Sequence, residues 1–276
     1  MVVRSRRQPP RVRRRGTRSP GGARRLKLGE VFGDHEVAAL YRHRPPYPQG
    51  IIDILARLLV EPRTVLDAGA GTGALARELV PFAERVDALD PSASMIAAGR
   101  LLRNGNDPRI RWTLGRAEDA SVDPPYGLIT CGASLHWMDH AVVLPRFRTM
   151  LAPGAKLAIA DMENVHPSTG VRDAVLSLIV RYSPIEHHVS TREMIDDLVA
   201  RGLLIIEGSE ATAPLAFEQS VEEYVGLLGS TASLNRTTLG ARAGDLEREV
   251  RAAFASYGIE RVRYDVVGTV AWGRPA

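Results

Sequence analysis

Residues 65–73 read Val-Leu-Asp-Ala-Gly-Ala-Gly-Thr-Gly, and a second apolar run, Val86-Asp87-Ala88-Leu89-Asp90, closes on a carboxylate 17 positions after Gly73. A buried run entering a glycine turn, a helix-length spacer and a second run ending on an acid make a β-α-β unit of a parallel sheet. Glycines in such a turn allow positive φ and let the backbone approach a ligand with no Cβ in the way. A carboxylate at the tip of the second strand can accept hydrogen bonds from both hydroxyls of a ribose. The pattern therefore predicts a nucleoside pocket at the carboxyl ends of the strands.

The glycine pattern leaves the nucleoside open. Gly69, Gly71 and Ala74 satisfy the dinucleotide pattern G-x-G-x-x-G/A, so a nicotinamide-dependent oxidoreductase is one reading. Three details favour another ligand. Asp67 stands two residues before the first glycine, where it would repel a pyrophosphate but suit the amino group of an amino-acid moiety. A third glycine falls at Gly73, giving G-x-G-x-G. Pro91-Ser92-Ala93-Ser94-Met95 reads as a helix start that sets Met95 against a purine.

In the order of its segments the chain resembles the class I S-adenosylmethionine-dependent methyltransferases, most of all their small-molecule subfamily that includes trans-aconitate methyltransferase. The matching blocks are Tyr41 to Pro48, Val65 to Gly73, Asp90 to Met95, Gly115-Arg116-Ala117-Glu118-Asp119 and Ser134-Leu135-His136-Trp137-Met138-Asp139. A sixth, Leu151-Ala152-Pro153-Gly154-Ala155, departs from the family at Ala155, where a second glycine is usual. Together they span about residues 31–161. The resemblance implies an α/β fold: a doubly wound, seven-stranded, mostly parallel, Rossmann-like sheet with helical lid insertions. It implies S-adenosylmethionine as cofactor and methylation of a small-molecule acceptor, with a carboxylate or hydroxyl oxygen as the expected target. The implied cofactor residues are Asp67, Gly69, Ala70, Gly71 and Gly73 at the methionine part, then Asp90 with Pro91 at the ribose. Met95, Ala117 and Glu118 fall at the adenine. Ser134 completes the set, with Tyr41 and Arg44 lying over the cofactor and one of them meeting its carboxylate.

His136 and Trp137 follow the fourth strand, so they are expected beside the transferred methyl group. His136 reads either as general base and acceptor ligand or as a packing residue at the strand tip. Trp137 reads as a pocket wall. His140 is the third acceptor candidate, sharing a helical face with His136. Two histidines with no carboxylate at ligand spacing do not make a metal site. His187-His188 reads as a solvated loop pair, Arg181 and Arg236 as solvated cations of lid helices, and Cys131 as a small buried hydrophobe.

Of the 276 residues, 36 are Lys or Arg and 32 Asp or Glu, for a net charge of +4. Residues 1–27 hold eleven of the basic residues and no acid, so the remaining 249 carry 25 basic against 32 acidic residues, or −7. Residues 1–28 are therefore expected to be a disordered Arg-rich tail. Only through 1–27 could the chain be a nucleic-acid-associated protein, and that stretch lacks interleaved aromatics. No apolar run approaches the roughly 18 residues of a membrane helix, and the single cysteine suits a reducing cytosol, so a cytoplasmic location is expected. Oligomeric state is not encoded in any recognisable pattern. Residues 29–276 read as one methyltransferase domain. It divides into N-terminal helices (29–63), a cofactor-binding core (64–161), a helical lid with a sixth strand (162–258) and a last strand (259–276). Ser190-x-x-Glu193 and Ser220-x-x-Glu223 have capping-box spacing. Five strands are expected at 64–68, 85–90, 110–115, 126–131 and 156–161, and one long helix at 239–257.

Overall fold

The computed structural model describes residues 30–167, 169–185 and 189–276; the tail reading for 1–28 and the His187-His188 pair lie outside the described residues. Among the described residues eight strands share one sheet: β1 (Thr64–Ala68), β2 (Arg85–Asp90), β3 (Ile110–Leu114), β4 (Tyr126–Gly132), β5 (Leu151–Val165), β6 (Leu204–Ala211), β7 (Leu215–Ser220) and β8 (Arg261–Pro275). Seven lie on the path β3-β2-β1-β4-β5-β8-β6, and β7 adds an eighth by pairing with the first half of β8. Pairings among β1 to β5 are parallel, and β8 runs antiparallel to β5, β6 and β7. The order reverses between β1 and β4, which makes their carboxyl ends the switch point where α/β sheets bind ligands.

Both faces of the sheet are covered because successive strand residues point to opposite sides and both sets are apolar. Val65, Val86, Ala88, Leu128 and Ala158 pack with α2 (Gln49–Leu58) and α3 (Ala76–Leu79). Leu66, Leu89, Ile129, Leu157 and Ile159 pack with α5 (His140–Met150) and α7 (Thr191–Ala200). The helix α1 (His35–Leu40) sets Val37 and Ala38 on Met95 of α4 (Ala93–Arg100).

The expected lid divides in two. Helix α7 covers a sheet face, with Met194 and Leu198 buried in that core. The helices α6 (Gly170–Tyr182), α8 (Val221–Gly229) and α10 (Arg242–Ser256) form a separate apolar cluster with Val262, Tyr264 and Val266 of β8. That cluster is the cap. It rests on the part of β5 beyond Ala160, where β4 has ended and only β8 continues the ladder. The same long-range pairing extends β5 well past the expected 156–161. The expected helix over 239–257 breaks at Gly240, whose φ of 58° and ψ of −132° separate α9 (Arg236–Leu239) from α10. Ala155 is harmless where the family has glycine, because the positive φ of that turn falls on Gly154.

Both capping boxes form as spaced. Ser190 and Ser220 each accept from the backbone N–H of a glutamate three residues on, and that glutamate accepts from the serine N–H. Ser220→Ala is expected to lower stability by about 1 kcal/mol, measured by urea unfolding, because two N–H groups of α8 lose their arrangement together.

Candidate functional site

A cleft of about 300 Å³ opens at the carboxyl ends of β1, β2 and β4. Its floor is the turn after β1, where Gly69, Gly71 and Gly73 all take positive φ. At Gly69 the requirement is double: φ is +72°, and a Cβ there would stand 2.6 Å from Ser134 Cβ. Ser134 is held in turn, donating its hydroxyl to the Ala68 carbonyl at 2.6 Å. The turn is short of a full helix. Where sequence predicts helix from Gly73 to Phe82, regular α-helix starts only at Ala76 and becomes 3-10 at Val80–Phe82.

Asp90 closes the far side of the floor. Its carboxylate accepts from Gly71 N and Ser92 N, each at 2.8 Å. Burial pushes this carboxyl up, against the two backbone N–H groups that pull it down. Beyond it stand buried Met95 and Ala117, and Glu118, whose Oε1 accepts from Asp139 N at 3.0 Å and pairs with Arg116 at 3.2 Å. Above lies an N-terminal strap, made of a 3-10 turn (Glu30–Gly33), α1 and a second 3-10 turn (Tyr41–His43). Phe32 meets Trp137 edge-on at 5.7 Å and Tyr41 at 6.1 Å, so strap and strand-four turn join over the cleft.

The cleft wall thus brings together Tyr41, Gly69, Gly71, Asp90, Pro91, Met95, Ala117, Glu118, Ser134 and Trp137. Six residues named from sequence stand off it. Ala70 is buried and donates its N–H to the Leu89 carbonyl. At Gly73 the face lacking a side chain turns to the Trp112 ring, 2.6 Å from a Cβ placed there. Asp67 points under the turn and not into the cleft: it accepts from Thr130 Oγ1 at 2.8 Å and Ala76 N at 3.2 Å. Burial pushes its carboxyl up to about 6; the Thr130 and Ala76 bonds pull the other way, and Asp90 adds to the rise.

Arg44 does not reach for a carboxylate. Its guanidinium lies 4.1 Å over the Tyr41 ring and donates to Ser230 Oγ and the Ser230 carbonyl. His140 turns its Nε2 to the Leu135 carbonyl at 3.0 Å, and burial lowers its basicity, so it braces the 3-10 turn Leu135–Trp137 and does not face the cleft. His136 lies against Trp137 with ring centroids 4.4 Å apart, next to the cleft lining that Trp137 belongs to.

Sequence reading also missed wall residues. Arg116 and Met138 sit inside matched blocks and were within reach. Phe32 was not, since nothing near it in the chain announces a partner about 100 residues away. Among the described residues, no group of three or more His, Cys, Asp or Glu side chains is placed to hold a metal ion, and no helix is long and apolar enough to cross a membrane.

A parallel sheet with this strand order, a glycine turn after β1 and an acid at the tip of β2 define the class I methyltransferase architecture. Residues 65–155 match the methyltransferase domain family. An uncharacterized methyltransferase of Mycobacterium tuberculosis is 36% identical over 135 residues, 49% of this chain and 51% of that one. A trans-aconitate 2-methyltransferase of Methylobacterium radiotolerans is 36% identical over 122 residues, 42% of this chain and 45% of that one. The chain spans about half the length of the curated relatives it matches. A solved structure of a candidate type II methyltransferase from Anaeromyxobacter dehalogenans superposes with a TM-score of 0.61 at 25% identity, over 84% of this chain and 97% of that one. Residues 65–155 thus carry a methyltransferase domain, similar to that of S-adenosylmethionine-dependent methyltransferases, on the fold of a solved methyltransferase.

The residues present fit that cofactor. The cradle at Gly69 is one a Cβ would fill, the buried Asp90 carboxylate suits a diol, and the apolar Met95–Ala117 side suits a purine.

Proposed function

We propose that the chain catalyses methyl transfer from S-adenosylmethionine to an oxygen of a small-molecule acceptor, a carboxylate or a hydroxyl. The observation that carries this reading is the cleft at the β1/β4 switch point, with its glycine floor and Asp90 at one end. The bound cofactor supplies a methyl group made electrophilic by the sulfonium. Asp90 would hold the ribose hydroxyls, while Met95 and Ala117 flank the adenine and Glu118 meets its amino group. Tyr41 and Ser134 bound the methionine end. Asp67 acts from beneath, fixing the turn through Ala76 N and lending negative potential to a cationic cofactor. Phe32 and Trp137 exclude water from the space between. The acceptor enters beside Trp137 and His136. The trans-aconitate 2-methyltransferases among the relatives support a carboxylate oxygen, an ionised nucleophile that needs no base. Residues 29–276 act as one methyltransferase domain in this reading.

Calorimetry with S-adenosylhomocysteine, NADH and NADPH in parallel tests it. Binding of the thioether alone is expected; binding of a nicotinamide nucleotide in its place would return the Gly69-Gly71-Ala74 pattern to its dinucleotide meaning. Labelled S-adenosylmethionine then screens acids and phenols as acceptors. With an acceptor in hand, His136→Ala is expected to lower turnover by about tenfold, the scale of one lost hydrogen bond to a bound acceptor. Its S-adenosylhomocysteine affinity should stay within about twofold. Unchanged turnover would leave His136 a packing residue against Trp137.

A further inference from the structure

The strap over residues 30–44 is held by two rows of bonds. On its inner side the Phe32 carbonyl accepts from Ser92 Oγ at 2.6 Å and the Gly33 carbonyl from Ser94 Oγ at 2.9 Å, both on the segment that starts α4. On its outer side three side chains bond to the cap. Asp34 accepts from Thr237 Oγ1 at 2.6 Å, and Glu36 pairs with Arg236 at 3.3 Å. Arg44 gives Ser230 two bonds of 2.9 Å. Contact along this seam is close, since a Cβ on Gly226 would fall 2.5 Å from the His43 ring and one on Gly229 3.0 Å from Leu40.

The Arg44 bonds differ in kind from the exposed pairs beside them. Ser230 is fully buried at the C-cap of α8 and donates its own hydroxyl to the Leu227 carbonyl at 2.7 Å. It therefore presents Arg44 with a fixed lone pair and with a carbonyl that the helix leaves unbonded at its end. Arg44 in turn stacks on Tyr41, whose ring edge lies 3.9 Å from where a Gly71 Cβ would be, against the cleft floor. A continuous line of contacts runs from cap to Ser230, Arg44, Tyr41 and Gly71. Because α8 shares one apolar cluster with α6, α10 and β8, a shift of α8 carries the cap with it.

We propose that Arg44 and Ser230 form a latch: Arg44 is a positioning residue that sets Tyr41 against the cofactor, and the strap lifts for cofactor release only when the strap–cap seam parts. The acceptor side and the cofactor side of the enzyme then open together. The inference rests on the reading of the cleft as the S-adenosylmethionine site.

Stopped-flow tryptophan fluorescence of the full chain with S-adenosylhomocysteine tests it, Trp137 in the cleft wall being the reporter. The dependence of rate on ligand concentration separates association from dissociation. Ser230→Ala, which removes one of the two acceptors, is expected to raise the dissociation rate about threefold, and Arg44→Ala about tenfold, with association changed less than about twofold. Glu249→Gln breaks contacts with Arg181 and Tyr182 inside the cap, away from the strap–cap seam. It should leave dissociation unchanged even where it lowers the melting temperature, which a merely structural role for Ser230 would not reproduce. If Arg44→Ala does not fold, Ser230→Ala alone decides. Dissociation from Ser230→Ala at the wild-type rate, or equal acceleration by Glu249→Gln, overturns the latch and leaves the cofactor reading standing. Absence of S-adenosylhomocysteine binding to the wild-type chain by calorimetry overturns both.

Discussion

Asp90→Ala is expected to weaken S-adenosylhomocysteine binding by about 1.5–3 kcal/mol, the range for hydrogen bonds to a charged group. The carboxylate is nearly buried, and its two oxygens already organise the site through Gly71 N and Ser92 N. Bound ribose hydroxyls would use its remaining lone pairs, so one side chain orders the glycine floor and reads the sugar. Alanine removes both effects and leaves the Gly71 N–H without its acceptor. Asp90→Asn keeps one carbonyl oxygen and should fall between wild type and alanine. Calorimetry on both variants, with melting temperatures as a control for folding, is the measurement. Wild-type affinity in Asp90→Ala would remove Asp90 from the ribose.

The second large effect concerns stability and pH. Asp67 is 1% exposed, and burial raises its carboxyl from the ordinary value of 3.8 to about 6. The folded chain therefore holds this proton more tightly than the unfolded chain does. The contribution is most favourable below pH 4 and is lost as pH rises through about 4 to 6, a difference of about 3 kcal/mol at neutral pH. Carboxylates held below their usual range, such as Asp34 by Thr237 and Glu222 by Arg251, act in the opposite sense at lower pH. Asp67→Asn removes the buried charge. The amide can accept from Ala76 N and donate to Thr130 Oγ1, so the bonds beneath the turn can be kept. Urea unfolding at pH 4.5 and 7.5 should show the variant gaining about 1–3 kcal/mol over wild type at the higher pH and little at the lower. A gain equal at both pH values would show that Asp67 is not protonated across this window. The same variant should bind S-adenosylmethionine more weakly, because the carboxylate under the turn contributes negative potential where the cofactor is cationic.

How much was legible beforehand differs element by element. The strands β1 and β2 match their expected bounds, because each is a short apolar run between a turn and a glycine or an acid. The capping boxes at Ser190 and Ser220 were readable for a similar reason: cap and partner lie three residues apart. Asp90 at the tip of β2 and the glycine floor followed from one window of 26 residues, 65–90. The block that holds Arg44 points to a cofactor ligand, yet its hydrogen-bond partner is 186 residues away on the cap. Spacing sets His140 on a face with His136, but the backbone it braces at Leu135 turns it inward.

The sequence by itself determined the class of fold, the place of the cleft at the strand ends and the acid at its edge. Turn conformation, strand burial and helix capping are set by side chains within a few residues of one another, so they are written in short windows. Only the tertiary structure decided that β5 continues to Val165 against β8, that Phe32 meets Trp137 over the cleft, that Asp67 faces beneath the turn, and that Arg44 joins strap to cap. Each of these depends on which donor, acceptor or ring a side chain finds across a long stretch of chain. That choice is made by packing and by the cost of leaving a polar group buried without a partner, which no local pattern records.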